Sequence, residues 1–139
     1  MNTRIFAVLT ILSLACFPLP HTETHATIII AQDRGLLRAV QRGQASWYSQ
    51  QDPGINTHTA NNEVFDDTRL TAAMWEVPFH QLVRVTNLEN GMSVVVRVND
   101  RGPHRRFVRQ GRIIDLSKKA FSDIAPLGQG LIPIQLELL

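Results

Sequence analysis

Two runs of strict alternation separated by a turn dipeptide constrain this chain more than any other feature. Leu82–Asn87 (LVRVTN) sets Leu82, Arg84 and Thr86 against Val83 and Val85, and Ser93–Asn99 (SVVVRVN) is rich in β-branched residues. A period of two is the signature of half-buried strands. Asn90-Gly91 lies between them, and both residue types accept the positive φ of a tight turn. The pair therefore reads as a hairpin. Ala45–Tyr48, Ile113–Leu116 and Ile132–Leu138 are further strand candidates, and Ser117 is a good N-cap for a helix over Lys118–Ile124, with Pro126 just beyond. Short strands with one small helix and no internal repeat predict a mostly β chain, a small barrel rather than a βαβ fold.

Length and composition agree with one such domain. The chain has 139 residues, 44% of them hydrophobic, and a formal net charge of +2, which excludes a disordered chain as well as collagen-like and coiled-coil classes. A single Cys excludes an internal disulfide and a Cys-based zinc site. The pI near 9.2 rests on 14 Lys+Arg against 12 Asp+Glu. That excess is too small to imply a nucleic-acid partner.

Residues 1–26 read as an export signal. Arg4 supplies the positive start, Ile5–Phe17 is an uncharged apolar run of 13, and Pro18 and Pro20 break it. The run is shorter than the ~20 residues a membrane span needs. Thr24-His25-Ala26 suits cleavage after Ala26, whereas Leu14-Ala15-Cys16 suits a lipoprotein cut with Cys16 acylated and an outer-membrane association, although Ser13 replaces the usual aliphatic residue. Residues 27–42 form a short lead, readable as a short helix or a tail, and residues 43–139 the barrel domain.

The chemistry-bearing candidates are acidic. Glu63 lies in the polar loop Thr59-Ala60-Asn61-Asn62-Glu63, and Asp100 where a strand runs into Arg101-Gly102-Pro103. A carboxylate at a strand end beside an Arg is a candidate catalytic or binding position. An Asp opening a turn equally serves by accepting backbone N–H bonds. Asp115, within a strand, is expected to be buried and paired with an Arg. Arg97, Arg101, Arg105, Arg106, Arg109 and Arg112 crowd one stretch; they read as a solvated loop with pairs to Asp100 and Asp115, or as a dock for an anionic polymer. Trp47, Tyr48 and Trp75 are aromatics suited to stacking on sugars. Because Trp47 and Tyr48 alternate faces, at least one belongs to the core. His58, His80 and His104 are scattered, without metal-ligand spacing. Ser46, Ser49 and Ser93 lack a nucleophile-elbow context, and no phosphate-cradling or dinucleotide glycine pattern is present.

The same residues carry a resemblance. Gly43-Gln44-Ala45-Ser46-Trp47-Tyr48, Thr59–Glu63, Thr71-Ala72-Ala73, Val85-Thr86-Asn87-Leu88, Asn99-Asp100-Arg101-Gly102-Pro103 and Arg112-Ile113-Ile114-Asp115-Leu116-Ser117 follow the order and spacing of the RlpA-like septal-ring lytic transglycosylases. The match covers about Gly43 to Leu138. The resemblance implies a six-stranded double-psi β-barrel with one or two short helices. It also implies cleavage of peptidoglycan glycan strands, preferably stripped of stem peptides, between N-acetylmuramic acid and N-acetylglucosamine, leaving a 1,6-anhydro end. An acid protonates the glycosidic oxygen, and a base takes the proton of the sugar's own 6-hydroxyl. No metal or cofactor is implied. Glu63 corresponds to the family's catalytic Glu, read as the acid/base, and Asp100 to its catalytic Asp, read as the carboxylate that orients it. Trp47, Tyr48 and Arg101 are candidate substrate-binding residues.

Three positions depart from the family pattern. The T-A-A-H motif reads Thr71-Ala72-Ala73-Met74, and a thioether cannot move a proton. P-F-G reads Pro78-Phe79-His80, and the Gly before the catalytic Glu is Asn62. His80 is a candidate stand-in for the missing ring. Two functions follow: an active transglycosylase carried by Glu63 and Asp100, or a catalytically silent glycan-binding barrel. The C-terminal peptidoglycan-binding module of many family members is not expected here, nor the septal recruitment it serves.

Overall fold

The computed structural model describes residues 29–33 and 36–139, with side chains from Val40 onward. The export segment and Cys16 lie outside the described residues. In chain order the elements are β1 (Ile29–Asp33), β2 (Leu36–Tyr48), β3 (Thr71–Met74), β4 (Leu82–Asn87), β5 (Ser93–Asp100), α1 (Arg105–Val108), β6 (Arg112–Ser117), α2 (Lys118–Ser122), a single 3₁₀ turn at Leu127–Gln129, and β7 (Leu131–Leu138).

Six of the strands close on themselves. The order β2-β6-β3-β5-β4-β7 returns to β2 through a β2–β7 ladder. The β2–β6 and β3–β5 pairs are parallel and the others antiparallel. The seventh strand, β1, lies outside the ring and pairs, among the described residues, with the start of β2, from Ile29↔Val40 to Asp33↔Leu36. The lead is thus partly strand, because Val40–Ser46 finds a second partner in Leu131–Glu137.

Alternation sends one face of each strand inward. Val83, Val85, Val96, Val98, Ile114, Leu116, Ile134 and Leu136 are all at most 1% exposed. Ala120 and Phe121 of α2, with Ile124, complete this core. Burial of that much branched apolar surface, at roughly 25 cal/mol per Å², is what the ring encloses. Pro133 fits inside β7 because the β4–β7 ladder ends at Asn87↔Ile134, so its missing N–H falls just beyond the pairing.

The hairpin turn is longer than a two-residue one. Asn87 N–H donates to Met92 O at 2.8 Å across four intervening residues. Gly91 carries the positive φ of 74°. Asn90 acts through its side chain instead, accepting from Met92 N at 2.9 Å and donating to Ile124 O at 3.0 Å. Ser117 caps α2 as expected, its hydroxyl accepting from Ala120 N. Strand β3 and helix α1 were not anticipated: Thr-Ala-Ala-Met neither alternates nor favours strand, and is buried on both faces.

Gly43 sets how closely β2 and β6 approach. A Cβ there would lie 2.9 Å from Gly111 O and from two Ile113 side-chain carbons. Gly43→Ala should therefore destabilise the barrel by about 1–3 kcal/mol, read as a lower midpoint in thermal unfolding. Wild-type stability in that variant would show the seam to be looser than described.

Candidate active site

Strand β3 organises the site because it has a partner on each side. Ala73 pairs with Asp100 of β5 and with Asp115 of β6, while Ala72 pairs with Val98 and Leu116. Residues paired across strands share a face. Ala72 and Met74 accordingly join the interior core, and Ala73 clusters on the other face with Tyr48 and Phe65. Ser46 pairs with Asp115, so Ser46, Tyr48, Ala73, Asp100 and Asp115 are gathered on the outside of the barrel.

The loop between β2 and β3 covers this face. Phe65 stacks on Tyr48 with ring centroids 4.6 Å apart and an interplanar angle of 4°. A Thr59–Glu63 turn closes through Thr59 N–H to Glu63 O at 2.9 Å, with Asn62 at φ 69°. Both sequence-identified carboxylates hold this turn. Asp100 Oδ1 accepts the N–H of Ala60 at 2.9 Å and that of Arg101 at 2.8 Å.

Glu63 is fixed by three side chains. Arg97 Nη1 and Nη2 donate to its two oxygens at 2.7 and 2.8 Å. Asn61 Nδ2 donates to Oε1 at 2.8 Å and Asn99 Nδ2 to Oε2 at 3.2 Å. The Arg97 hydrogen bonds first, then those from Asn99 and Asn61, hold its carboxyl down at about 2. Glu63 is a permanent anion at neutral pH. It lines a cleft of about 420 Å³ with Val64, Asp66, Arg69, Arg97 and Asn99.

The remaining candidates are distributed differently. The Arg101 guanidinium donates to the carbonyls of Met74 and Val77, each at 3.0 Å, and lies 3.7 Å over the Phe79 ring. It gives Asp100 a backbone N–H rather than its charge. Asp115 is paired as expected, with Arg112 Nε at 2.6 Å and the Ser46 hydroxyl at 2.8 Å. Tyr48 is buried, its hydroxyl has no hydrogen-bond partner among the described residues, and burial, then the charges of Asp100 and Asp115, push its pKa up. Trp47 packs on the core and donates its indole N–H to Leu127 O at 3.1 Å. Neither Trp47 nor Tyr48 lines the Glu63 cleft. Met74 is 5% exposed and instead lines a separate, more apolar cleft of about 330 Å³ with Trp75, Val77, Val108, Leu136 and Leu138. Among the described residues Glu76 is the one carboxylate lining that cleft, whereas Glu63 and Asp66 line the other.

Of the arginine-rich stretch, Arg97 and Arg112 form ion pairs, and Arg105 lies 4.2 Å over the Trp75 ring. Among the described residues no group of three His, Cys, Asp or Glu is placed to hold a metal ion. Sequence reasoning missed the roles of Arg97, Asn61 and Asn99 as holders of Glu63. The one available signal was their place in or beside the motifs that carry Glu63 and Asp100.

Fold and site together define a double-psi β-barrel with a carboxylate fixed at the rim of an external cleft. A profile described as lytic transglycolase matches residues 40–136, and the chain belongs to that family. It is similar to the probable endolytic peptidoglycan transglycosylase RlpA of Nostoc sp., 44% identical over 74% of this chain and 27% of the relative. It is also similar to the endolytic peptidoglycan transglycosylase RlpA of Campylobacter jejuni, 46% identical over 70% of this chain and 33% of the relative. The chain thus spans about a third of the length of these curated relatives. Among solved structures, the Streptomyces papain inhibitor superposes with a TM-score of 0.56 at 23% identity, covering 81% of this chain and 99% of that one. A Clavibacter michiganensis expansin does so at 0.55 and 21%, covering 72% and 50%. These likenesses show the shared barrel.

The Glu63–Arg97 pair gives a pH signature. A depressed carboxylate contributes stability that is fully present above the unfolded value of about 4.3 and is lost as pH falls toward about 2. In Arg97→Ala the Glu63 carboxyl should titrate nearer the ordinary Glu value, read by carbon-detected NMR. A wild-type Glu63 titrating above pH 4 would show that the pair does not form in solution.

Proposed function

We propose that this protein is an envelope enzyme that cleaves peptidoglycan glycan strands by lytic transglycosylation. The observation that carries the reading is the Glu63 carboxylate, held charged by Arg97, Asn61 and Asn99 at an open cleft. Relatives 44–46% identical to it are named as peptidoglycan transglycosylases, which supports the same substrate. Export through residues 1–26 delivers the barrel to the envelope, with cleavage after Ala26 and acylation of Cys16 as the two routes.

The geometry favours a division of labour opposite to that inferred from resemblance. A carboxylate bound on both oxygens by a guanidinium stays charged, so Glu63 acts through its charge, stabilising positive charge as it develops at the anomeric carbon. Proton transfer falls to Asp100. Its Oδ1 is taken by two backbone N–H groups, and no hydrogen bond engages Oδ2 among the described residues. Oδ2 is free to exchange a proton with the glycosidic oxygen and, in turn, with the sugar's 6-hydroxyl. The 6-hydroxyl oxygen then bonds to the anomeric carbon as the glycosidic bond breaks, closing the anhydro ring without water.

A second reading, a silent glycan-binding barrel, draws on Met74, which replaces the family His and lies inside the core. Mass spectrometry of peptide-free glycan strands after incubation with the protein separates the two. Anhydro-ended fragments are expected, falling on the order of a hundredfold or more in both Glu63→Gln and Asp100→Asn. Intact strands, with binding retained in a pull-down, would instead establish the binding barrel.

A further inference from the structure

Three observations converge on His80, in the turn between β3 and β4. Its backbone has φ 70°, a left-handed conformation that Gly adopts freely, that Asn, Asp and His enter more readily than other side chains, and that most residues avoid. The residue is pinned there. His80 N–H donates to Val98 O at 2.8 Å, and Val98 N–H donates to Gln81 O at 3.0 Å, which clamps this turn against β5 one place from Arg97. Finally, the His80 ring Nδ1 lies 3.3 Å from Arg97 Nη1.

That contact has one chemical solution. A guanidinium carries only donors, so a hydrogen bond here requires the ring to present Nδ1 as the acceptor, with a proton on Nε2. The same Nη1 donates to Glu63 Oε1 at 2.7 Å. Its two hydrogens are thus directed to two different acceptors, which fixes the rotation of the guanidinium plane. The Arg97 plane in turn fixes the plane of the Glu63 carboxylate through the paired bonds to both oxygens.

We propose that His80 is a positioning residue of this site, orienting Glu63 through Arg97. The inference rests on the transglycosylase reading above for its consequence in catalysis, but not for the geometry. It gives a role to a ring on an exposed turn whose left-handed backbone the Gly of the family pattern would adopt freely. Without the ring, Arg97 Nη1 has one acceptor instead of two, and the Glu63 carboxylate gains rotational freedom at the cleft.

Two substitutions separate positioning from simple structural support. His80→Gly removes the ring and relieves the left-handed backbone, so its melting temperature should equal or exceed that of the wild type. Its kcat on glycan strands should nevertheless fall on the order of tenfold to a hundredfold, with KM little changed. His80→Asn tolerates the same φ and keeps an acceptor close to the Nδ1 position, and should recover most of the lost rate. Wild-type kcat in His80→Gly would overturn the proposal. So would equal losses in the Gly and Asn variants, which would assign the effect to the bulk of the ring. NMR titration of Glu63 provides a readout that needs no turnover. The Glu63 carboxyl should titrate higher in His80→Gly than in the wild type and return toward the wild-type value in His80→Asn, and an unchanged value in the Gly variant overturns the proposal. If the wild-type protein cleaves no glycan, the functional reading fails and this titration still decides the role of His80.

Discussion

Gln44, Ala45 and Ser46 are paired on both sides at once, and the closed shape of the molecule depends on it. On one side they meet Arg112, Ile114 and Asp115 of β6 in a parallel ladder; on the other they meet Pro133, Ile132 and Leu131 of β7. Remove either ladder and the remaining strands form an open sheet, with two edges of unpaired backbone groups and an apolar face exposed to water. Closure also explains the glycine just upstream. The strand must pass Gly111 and Ile113 at a distance that leaves no room for a Cβ at Gly43. The ladder slips by one residue between Gln44 and Ala45 as it accommodates that approach.

The barrel in turn determines what the external loop can do. Phe65 stacked on Tyr48 anchors the middle of the loop, and Asp100 anchors the Thr59–Glu63 turn through Ala60. Glu63 is therefore held both by its own side-chain partners and by the backbone that carries it. In the proposed reaction, a carboxylate fixed in this way needs little reorganisation as charge develops beside it, which is the condition under which electrostatic stabilisation is most effective. The placement of Arg101 serves the same end. Its guanidinium lies on the Met74 and Val77 carbonyls and the Phe79 ring, so a cation adjacent in sequence to Asp100 does not close over its carboxylate.

How far the sequence revealed this depends on the range of each interaction. Strands β4, β5, β6 and β7 were legible because alternation is written in neighbouring residues, and α2 because Ser117 caps it locally. Strand β3 was not. Its strand character comes from two flanking partners, and two alanines and a fully buried pattern give no period to read. The outer hairpin was missed because pairing with β7 far along the chain draws the lead into β2. At the site, Glu63 and Asp100 stood out through resemblance, and Asp115 through its setting in an apolar strand. The partner of Glu63 did not. Arg97 lies 34 residues away within a stretch of arginines that looked like one solvated group, and only the register of β3 with β5 singles it out. His80 likewise entered as a candidate for a missing ring, while its contact with Arg97 depends on a turn folding back on β5.

The alanines of Thr71–Met74 carry a further consequence for the site. Ala72 faces the interior and Ala73 the outer face, where it lies between two carboxylate-bearing positions, Asp100 and Asp115. The chain leaving Asp100 returns over this point: a Cβ built on Gly102 would lie 3.5 Å from Ala73 Cβ and 3.6 Å from Asp115 Oδ2. A larger side chain at Ala73 would occupy the path of that return and displace the segment that begins with Asp100. The small residue is thus favoured by its two acidic neighbours and the close return of the Gly102 backbone, rather than by strand propensity, which it works against. Tyr48 shares this face, its buried hydroxyl without a hydrogen-bond partner among the described residues and within the field of Asp100 and Asp115. The stack with Phe65 sets the position of the Tyr48 ring, and Ala73 contributes only a methyl group to the same cluster.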